Sequence, residues 1–267
     1  FGDTLLMKLL PDDGEGEDDE FSCNMEGVPL DRTNLVLRAV DLMREKTGNT
    51  DKRFKINLVK QVPAQAGLGG GSANAATAMF GVNELLGRPA THEQMVEWSA
   101  DLGSDITFFF SLGSAYCTGR GEIMTSVVPP LPAGTKLTVV KPDLGLSTPS
   151  VFKALNYDEL STADPETLLS RFTEEGVVDI SDDAYINDLE PPAFALLPKL
   201  EELKQDLLAV PGFDHVCMSG SGTSIFCIGE ADDVTSFDET FGSRKDLKVF
   251  HTEFIDRPDE GTWWGEE

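Results

Sequence analysis

Four glycines and a serine, in Gly67-Leu68-Gly69-Gly70-Gly71-Ser72, stand directly before an alanine-rich stretch, Ala73-Asn74-Ala75-Ala76. Glycine turns with positive φ and lets backbone approach a ligand with no Cβ in the way. A helix N-terminus adds unpaired N–H groups and the positive end of the helix dipole. Together they are suited to holding phosphate, which makes a nucleotide-handling enzyme the first reading. A Walker loop is excluded because the Gly-Lys-Ser/Thr ending is missing, so no lysine stands where it could reach the β- and γ-phosphates. A dinucleotide fingerprint is excluded too. Position 72 is Ser, and the expected acidic residue about twenty positions on is replaced by Gly87-Arg88-Pro89. The alternative is a purely structural turn, although four glycines with Ser72 exceed what a turn requires.

Asp105 is the second feature. It lies between the end of a helical pattern and the apolar run 106–110, where it could cap the next element. A phosphotransferase needs a carboxylate that orients or deprotonates the attacking hydroxyl beside the γ-phosphate. Asp105 suits that role if the helix beginning at Thr91 packs beside the one that follows the glycine loop. Ser219-Gly220-Ser221-Gly222 is the third feature: either a flexible turn or a second glycine turn that closes a nucleotide site.

The elements that must position these residues follow from periodicity. Phe54, Ile56 and Leu58 alternate with Lys55 and Asn57 as a strand entering the loop. Upstream, Val36, Val40 and Met43 have helical spacing over 34–46, and Gly48-Asn49 stops that helix. Past the loop, Ala75, Met79, Val82 and Leu86 mark a helix face ended by Gly87 and Pro89. Thr91 and Gln94 have capping-box spacing, opening a helix through Met95, Trp98 and Leu102. Further strands are read at 113–118 and 137–140, and the stretch from Pro129 to Gly134 is the candidate linker. In the second half, Leu196, Leu200, Leu203 and Leu207 form one helix face. Strands at 215–218 and 225–228 then flank the Ser219 turn. The order implies an α+β fold of two layers per domain.

Bulk properties limit the partners. The chain has 267 residues and a formal net charge of −26, from 21 basic and 47 acidic residues. Such a surface repels nucleic acid and anionic membranes, so no nucleic acid and no membrane partner is expected. A phosphorylated ligand would need local dipoles and a few cations to offset that field. The run Asp12, Asp13, Glu15, Glu17, Asp18, Asp19, Glu20 reads as a solvated loop, and the acidic residues after 256 as a frayed end. Four scattered cysteines without CxxC spacing argue for free thiols rather than disulfides or zinc. No apolar run is long enough to span a bilayer.

These residues carry a resemblance. The segment from Pro63 to Ala76 resembles the central phosphate-binding motif of the GHMP kinases, and Met218-Ser-Gly-Ser-Gly-Thr223 resembles their C-terminal glycine motif. Within that superfamily the chain is most similar to the 4-diphosphocytidyl-2-C-methyl-D-erythritol kinases of plant and algal type. The points of likeness include Leu102-Gly-Ser-Asp105-Ile-Thr-Phe-Phe and Tyr116-Cys-Thr-Gly-Arg-Gly121-Glu. Ser147-Thr148-Pro149-Ser-Val-Phe152-Lys153 and Asn187-Asp-Leu-Glu190-Pro-Pro-Ala-Phe194 add to them. The likeness runs from Gly2-Asp3-Thr4 to about Phe254.

The resemblance implies two α+β domains, 1–132 like ribosomal protein S5 domain 2 and 133–267 a C-terminal GHMP domain, with the active site in a cleft between them. It implies an ATP-dependent kinase of the non-mevalonate isoprenoid pathway, acting on the 2-hydroxyl of a small molecule that carries a cytidine diphosphate group. Pro63, Ala64, Gln65, Ala66, Gly67, Leu68, Gly69, Gly70, Gly71, Ser72 and Ala73 would wrap the ATP phosphates. Asp105 would be the catalytic base. Lys60, Thr148, Phe152 and Gly220 would contact substrate, with Phe152 stacked on cytosine. Magnesium would bridge the phosphates, helped by Ser72. The resemblance further implies a monomer or weak homodimer in the plastid stroma, a bacterial cytoplasm being the alternative. Another GHMP kinase, acting on mevalonate, homoserine or a sugar, and a non-catalytic nucleotide-binding fragment are the competing readings. The family's Pro-x-Lys-x-Asn block with its catalytic lysine should precede Gly2, and a Tyr-His pair that grips cytidine is absent. The chain is therefore expected to be N-terminally truncated, with any transit peptide in the missing part, and to have little or no kinase activity by itself.

Overall fold

The computed structural model describes residues 2–11, 18–174 and 184–255. Most of the acidic run (12–17) and the acidic end (256–267) lie outside them. The chain divides into two compact units: residues 2–64 with Gly69–Val127, and Gln65–Leu68 with residues 128–255. The division thus falls just before Pro129. The segment 65–68, placed with the N-terminal half on sequence, groups instead with the second unit, because Ala66 O accepts from Ser224 N at 3.0 Å and Gly67 O from Ser219 Oγ at 2.8 Å.

The first unit runs β1 (Thr4–Leu9), β2 (Glu20–Cys23), α1 (Leu35–Thr47), β3 (Phe54–Val59), α2 (Gly70–Leu85) and α3 (His92–Ser99). A 3₁₀ helix (Thr107–Phe110) and the hairpin β4 (Ala115–Thr118)–β5 (Ile123–Ser126) follow. β3 is central, antiparallel to β1 and parallel to β2. Its alternate residues Phe54, Ile56 and Leu58 are buried, as a strand with one face on helices requires. They share one core with Val36, Val40 and Met43 of α1 and Ala75, Met79 and Val82 of α2. α1 is capped by Asn34, whose side chain accepts from Val36 N, and ends on Gly48 at φ 73°. Thr91 and Gln94 form the expected capping box, but α3 stops at Ser99, short of Leu102. Gly81 lies mid-helix in α2 because β1 comes close there: a Cβ would sit 2.7 Å from Met7 Sδ.

Asp19 corrects the reading of the acidic run as a solvated loop. Its side chain is 2% exposed, pairs with Arg44 and Arg32, and accepts from Phe54 N at 2.8 Å. A carboxylate so buried persists only with its charge and lone pairs met.

The second unit runs β6 (Lys136–Pro142), α4 (Thr148–Ala154), a short 3₁₀ turn (Tyr157–Glu159), α5 (Pro165–Glu174), α6 (Glu190–Leu196) and α7 (Pro198–Leu208). Next come β7 (Phe213–Met218), β8 (Ile225–Gly229), the single turn α8 (Val234–Phe237) and β9 (Leu247–Glu253). Its sheet is antiparallel throughout, in the order β7-β8-β6-β9. Leu200, Leu203 and Leu207 of α7 are buried together with Met218, Ile225 and Cys227. The helix face expected over Leu196–Leu207 is in fact two helices. Leu197 takes φ −141°, ψ 78°, since Pro198 disfavours helical backbone at the preceding residue and offers no N–H. Leu196 is exposed as a result.

Both helix and sheet layers occur in each unit, so the α+β class holds. Among the described residues no helix is long and apolar enough to cross a membrane. All four cysteines are free thiols. Burial pushes Cys217 and Cys227 up to about 12, leaving them un-ionised at neutral pH.

Candidate active site

In the first unit the site is built on the start of α2. Gly69 is its N-cap, at φ 65° with no side-chain capping bond, and no acidic residue occupies the first turn. The first helical bond at this end runs from Ala73 N to Gly69 O, at 2.8 Å. The amides of Gly70, Gly71 and Ser72 therefore precede the helical ladder, with the dipole's positive end behind them. In a chain of net charge −26, this is a locally positive point.

Lys60 follows β3 and lies beside that turn: a Cβ on Gly70 would be 3.5 Å from its Nζ. Its side chain is 6% exposed and pairs with Asp3, itself 5% exposed. Asp3 also accepts from Gln61 N at 2.7 Å, Val62 N at 2.8 Å and Asn74 Nδ2 at 2.9 Å. One carboxylate thus ties the end of β3, the entry to the loop and the first turns of α2 together. Burial raises the Asp3 pKa, but the Lys60, Val62, Gln61 and Asn74 hydrogen bonds outweigh it and hold the group below its ordinary 3.8. Lys60, expected to face a ligand, spends its charge on this internal pair.

Asp105 is exposed, in the turn after α3. The alternative of a helix cap is not what the structure has: the 3₁₀ helix begins after Ile106 without a side-chain capping bond. The Asp105 carboxylate makes no hydrogen bond or ion pair among the described residues, and no basic side chain pairs with it. Its turn is nevertheless fixed from three directions. Ser99 Oγ meets Thr107 Oγ1 at 3.0 Å, with both residues buried. Gly121, in the β4–β5 turn at φ 114°, passes so close that a Cβ would lie 3.3 Å from Asp105 Oδ1. The Phe109 ring packs against Gly69, where a Cβ would be 2.6 Å from Cζ. This last contact packs the 3₁₀ helix that follows the Asp105 turn against the N-terminus of α2. Cys117 of β4 senses the same carboxylate: burial first, then the Asp105 charge, pushes its thiol up.

In the second unit, 65–68 rests on the Ser219–Ser224 turn. Gln65 holds φ 51°, unusual for a residue with a Cβ. Gly67 takes φ 73°, and a Cβ there would fall 2.1 Å from Ser219 O. Gly67→Ala is expected to destabilise this unit by about 1–3 kcal/mol. Gly71→Ala, whose new Cβ meets only Leu35 at 3.7 Å in a helix, should be neutral or stabilising by up to about 1 kcal/mol. Denaturant titration of the two variants decides this, and equal stability would contradict the packing described. Thr148, at the start of α4, shares a 2.8 Å hydroxyl contact with Ser221. Phe152, one helical turn on, is 48% exposed with its ring available for stacking. Gly220 is exposed at φ 56°.

No group of three or more His, Cys, Asp or Glu among the described residues could hold a metal ion. Ser72, the hydroxyl residue of the first turn of α2, is half-buried there. Sequence reasoning missed Asp3, Asn74, Gly121 and Asn187. Their partners lie far along the chain, and only membership of the quoted motifs marked some of them.

The family model for the GHMP kinases N terminal domain matches residues 34–113. The chloroplastic 4-diphosphocytidyl-2-C-methyl-D-erythritol kinase of Oryza sativa subsp. japonica is 46% identical over 99% of this chain and 64% of its own length. The enzyme of the same name from Protochlamydia amoebophila is 44% identical over 90% of this chain and 75% of its own. The chain spans 56% to 64% of the length of the four plant relatives it matches. Among solved structures, a 4-(cytidine 5'-diphospho)-2C-methyl-D-erythritol kinase superposes with TM-score 0.70 at 28% identity, covering 94% of this chain and 85% of that one. A homoserine kinase from Cytophaga hutchinsonii also reaches 0.70, at 16% identity over 96% and 86%, which shows the fold alone.

Proposed function

This chain belongs to the 4-diphosphocytidyl-2-C-methyl-D-erythritol kinase family of GHMP kinases, and from that premise we propose that the full gene product transfers the γ-phosphate of ATP to the 2-hydroxyl of 4-diphosphocytidyl-2-C-methyl-D-erythritol. The observation that carries the reading is the Gly69–Phe109 contact, which packs the 3₁₀ helix following the Asp105 turn against an uncapped, acid-free helix N-terminus, while the Asp105 carboxylate has no partner among the described residues.

In this reading the 63–73 loop grips ATP. The amides of Gly70, Gly71 and Ser72 face the phosphates, on a turn that the Lys60–Asp3 pair holds in place. Asp105 orients the substrate hydroxyl and accepts its proton. The hydroxyl oxygen then bonds to the γ-phosphorus as the bond to the β-phosphate oxygen breaks, and ADP leaves. Most of the acceleration comes from positioning and charge, so a fixed carboxylate and fixed N–H groups are what the chain must supply. Magnesium would neutralise phosphate charge when bound, held by phosphate oxygens and Ser72. Thr148, Phe152 and Gly220 take the cytidine diphosphate end, with Phe152 stacking on the base. The chloroplastic names of the plant relatives support a plastid location, and we place the protein in the stroma as a monomer or weak homodimer.

The test is transfer of labelled γ-phosphate by the full gene product to a panel of alcohols. The cytidine diphosphate alcohol should be phosphorylated, and mevalonate, homoserine and galactose left unlabelled. Preference for one of the latter would replace this substrate with another of the superfamily.

A further inference from the structure

The segment Asn187-Asp188-Leu189-Glu190 has no part in the chemistry above, yet it grips the end of β7 on both sides. Asn187 Nδ2 donates to Met218 O and to Gly220 O, each at 2.8 Å. Its Oδ1 accepts from Leu189 N at 3.0 Å. The amide orientation is therefore fixed, because the reverse would set its oxygen against two carbonyls. Glu190 Oε1 accepts from Met218 N at 2.8 Å, and Lys204 Nζ neutralises that carboxylate at 2.7 and 2.8 Å. The turn so held passes its position on. Gly222 N donates to Ser219 O at 2.9 Å, Ser219 Oγ to Gly67 O at 2.8 Å, and Ser224 N to Ala66 O at 3.0 Å.

We infer that Asn187 is a positioning residue for the phosphate loop: by holding the Met218 and Gly220 carbonyls, it sets Ser219 where it takes the Gly67 carbonyl. The 65–68 half of the loop is thereby kept in the positive-φ path that Gln65 and Gly67 need. Without Asn187 that path loses part of its support, because the two bonds the turn makes to it, Ser219 Oγ to Gly67 O and Ser224 N to Ala66 O, are only as well placed as the turn itself. The inference rests on the reading of this loop as the ATP grip.

Asn187→Asp is the sharp test, since it keeps side-chain shape and the Leu189 contact but turns two attractive contacts into repulsive ones. The affinity for a non-hydrolysable ATP analogue, read by calorimetry, should fall about 10–100-fold. The KM for ATP should rise with kcat nearly unchanged, and amide exchange at 65–68 and 219–224 should accelerate. The melting temperature without nucleotide should move by only a few degrees. Asn187→Ser, uncharged and smaller, should shift affinity and exchange the same way to a lesser extent, and it serves if the aspartate variant does not fold. Wild-type affinity together with wild-type exchange at 65–68 in either variant would overturn the inference. So would a lowered melting temperature with unchanged affinity. If the unaltered protein binds no ATP analogue, the kinase reading fails, while the exchange rates still decide whether Asn187 positions the loop.

Discussion

Asp105→Asn is expected to lower the rate of phosphoryl transfer about 10²–10⁴-fold, the range lost with a positioned general base, while ATP affinity stays close to that of the unaltered protein. The separation follows from the geometry. Asp105 touches neither the first turn of α2 nor Lys60 through any hydrogen bond, and its turn is fixed by the Ser99–Thr107 hydroxyl pair and the Phe109–Gly69 contact, all of which survive the change. Asparagine fills the same space beside Gly121 but has no negative charge and cannot accept the proton. Single-turnover transfer and nucleotide titration of the same preparation separate the two quantities. Loss of ATP binding in step with the rate would place Asp105 in the phosphate grip instead.

Asp3→Asn should have the largest effect on stability. Asp3 and Lys60 are nearly buried and paired, and the same carboxylate takes two backbone amides and Asn74. Removing one partner of a buried pair leaves an uncompensated charge and costs about 3–5 kcal/mol, a large part of the ~5–15 kcal/mol that holds a typical domain. Lys60→Met added to Asp3→Asn should recover part of the loss, as expected for directly coupled residues. The acid response follows the same pair. The folded Asp3 pKa lies below its ordinary 3.8, so its contribution is complete above that value and is lost as pH falls through the lower, folded one. The unaltered protein should therefore shed this increment only in strong acid, and Asp3→Asn should show a shallower stability slope there. Urea midpoints at neutral pH and at pH 3 measure both; an Asp3→Asn variant as stable as the parent at neutral pH would contradict the role given to the pair.

Locally encoded features were legible in the sequence. The alternation of Phe54, Ile56 and Leu58, the Asn34 and Gly48 caps of α1 and the Thr91–Gln94 box each depend on residues within a few positions of one another. The glycine-to-helix junction at 69–70 was legible too, because glycines before a helical pattern declare their φ angles and the open amides that follow. What was not legible depended on partners distant in sequence. β1 shows no alternation in Thr4–Leu9 and exists by pairing with β3. Asp3 and Asn187 are ordinary polar residues until the fold brings backbone groups to them. Asp19 looked like one more charge in an acidic run, and only Arg44, Arg32 and the Phe54 amide make it a buried anchor. The division of the glycine loop at Leu68/Gly69 was hidden for the same reason: nothing in 63–73 announces that its first half hangs on the Ser219 turn.

The most direct measurement of the central claim is transfer of labelled phosphate from ATP to 4-diphosphocytidyl-2-C-methyl-D-erythritol by the full gene product, with Asp105→Asn alongside. The expected result is label on the 2-hydroxyl, lost in the variant although the variant still binds ATP. Transfer that persists undiminished in Asp105→Asn, or that goes to mevalonate or homoserine in preference, would contradict it.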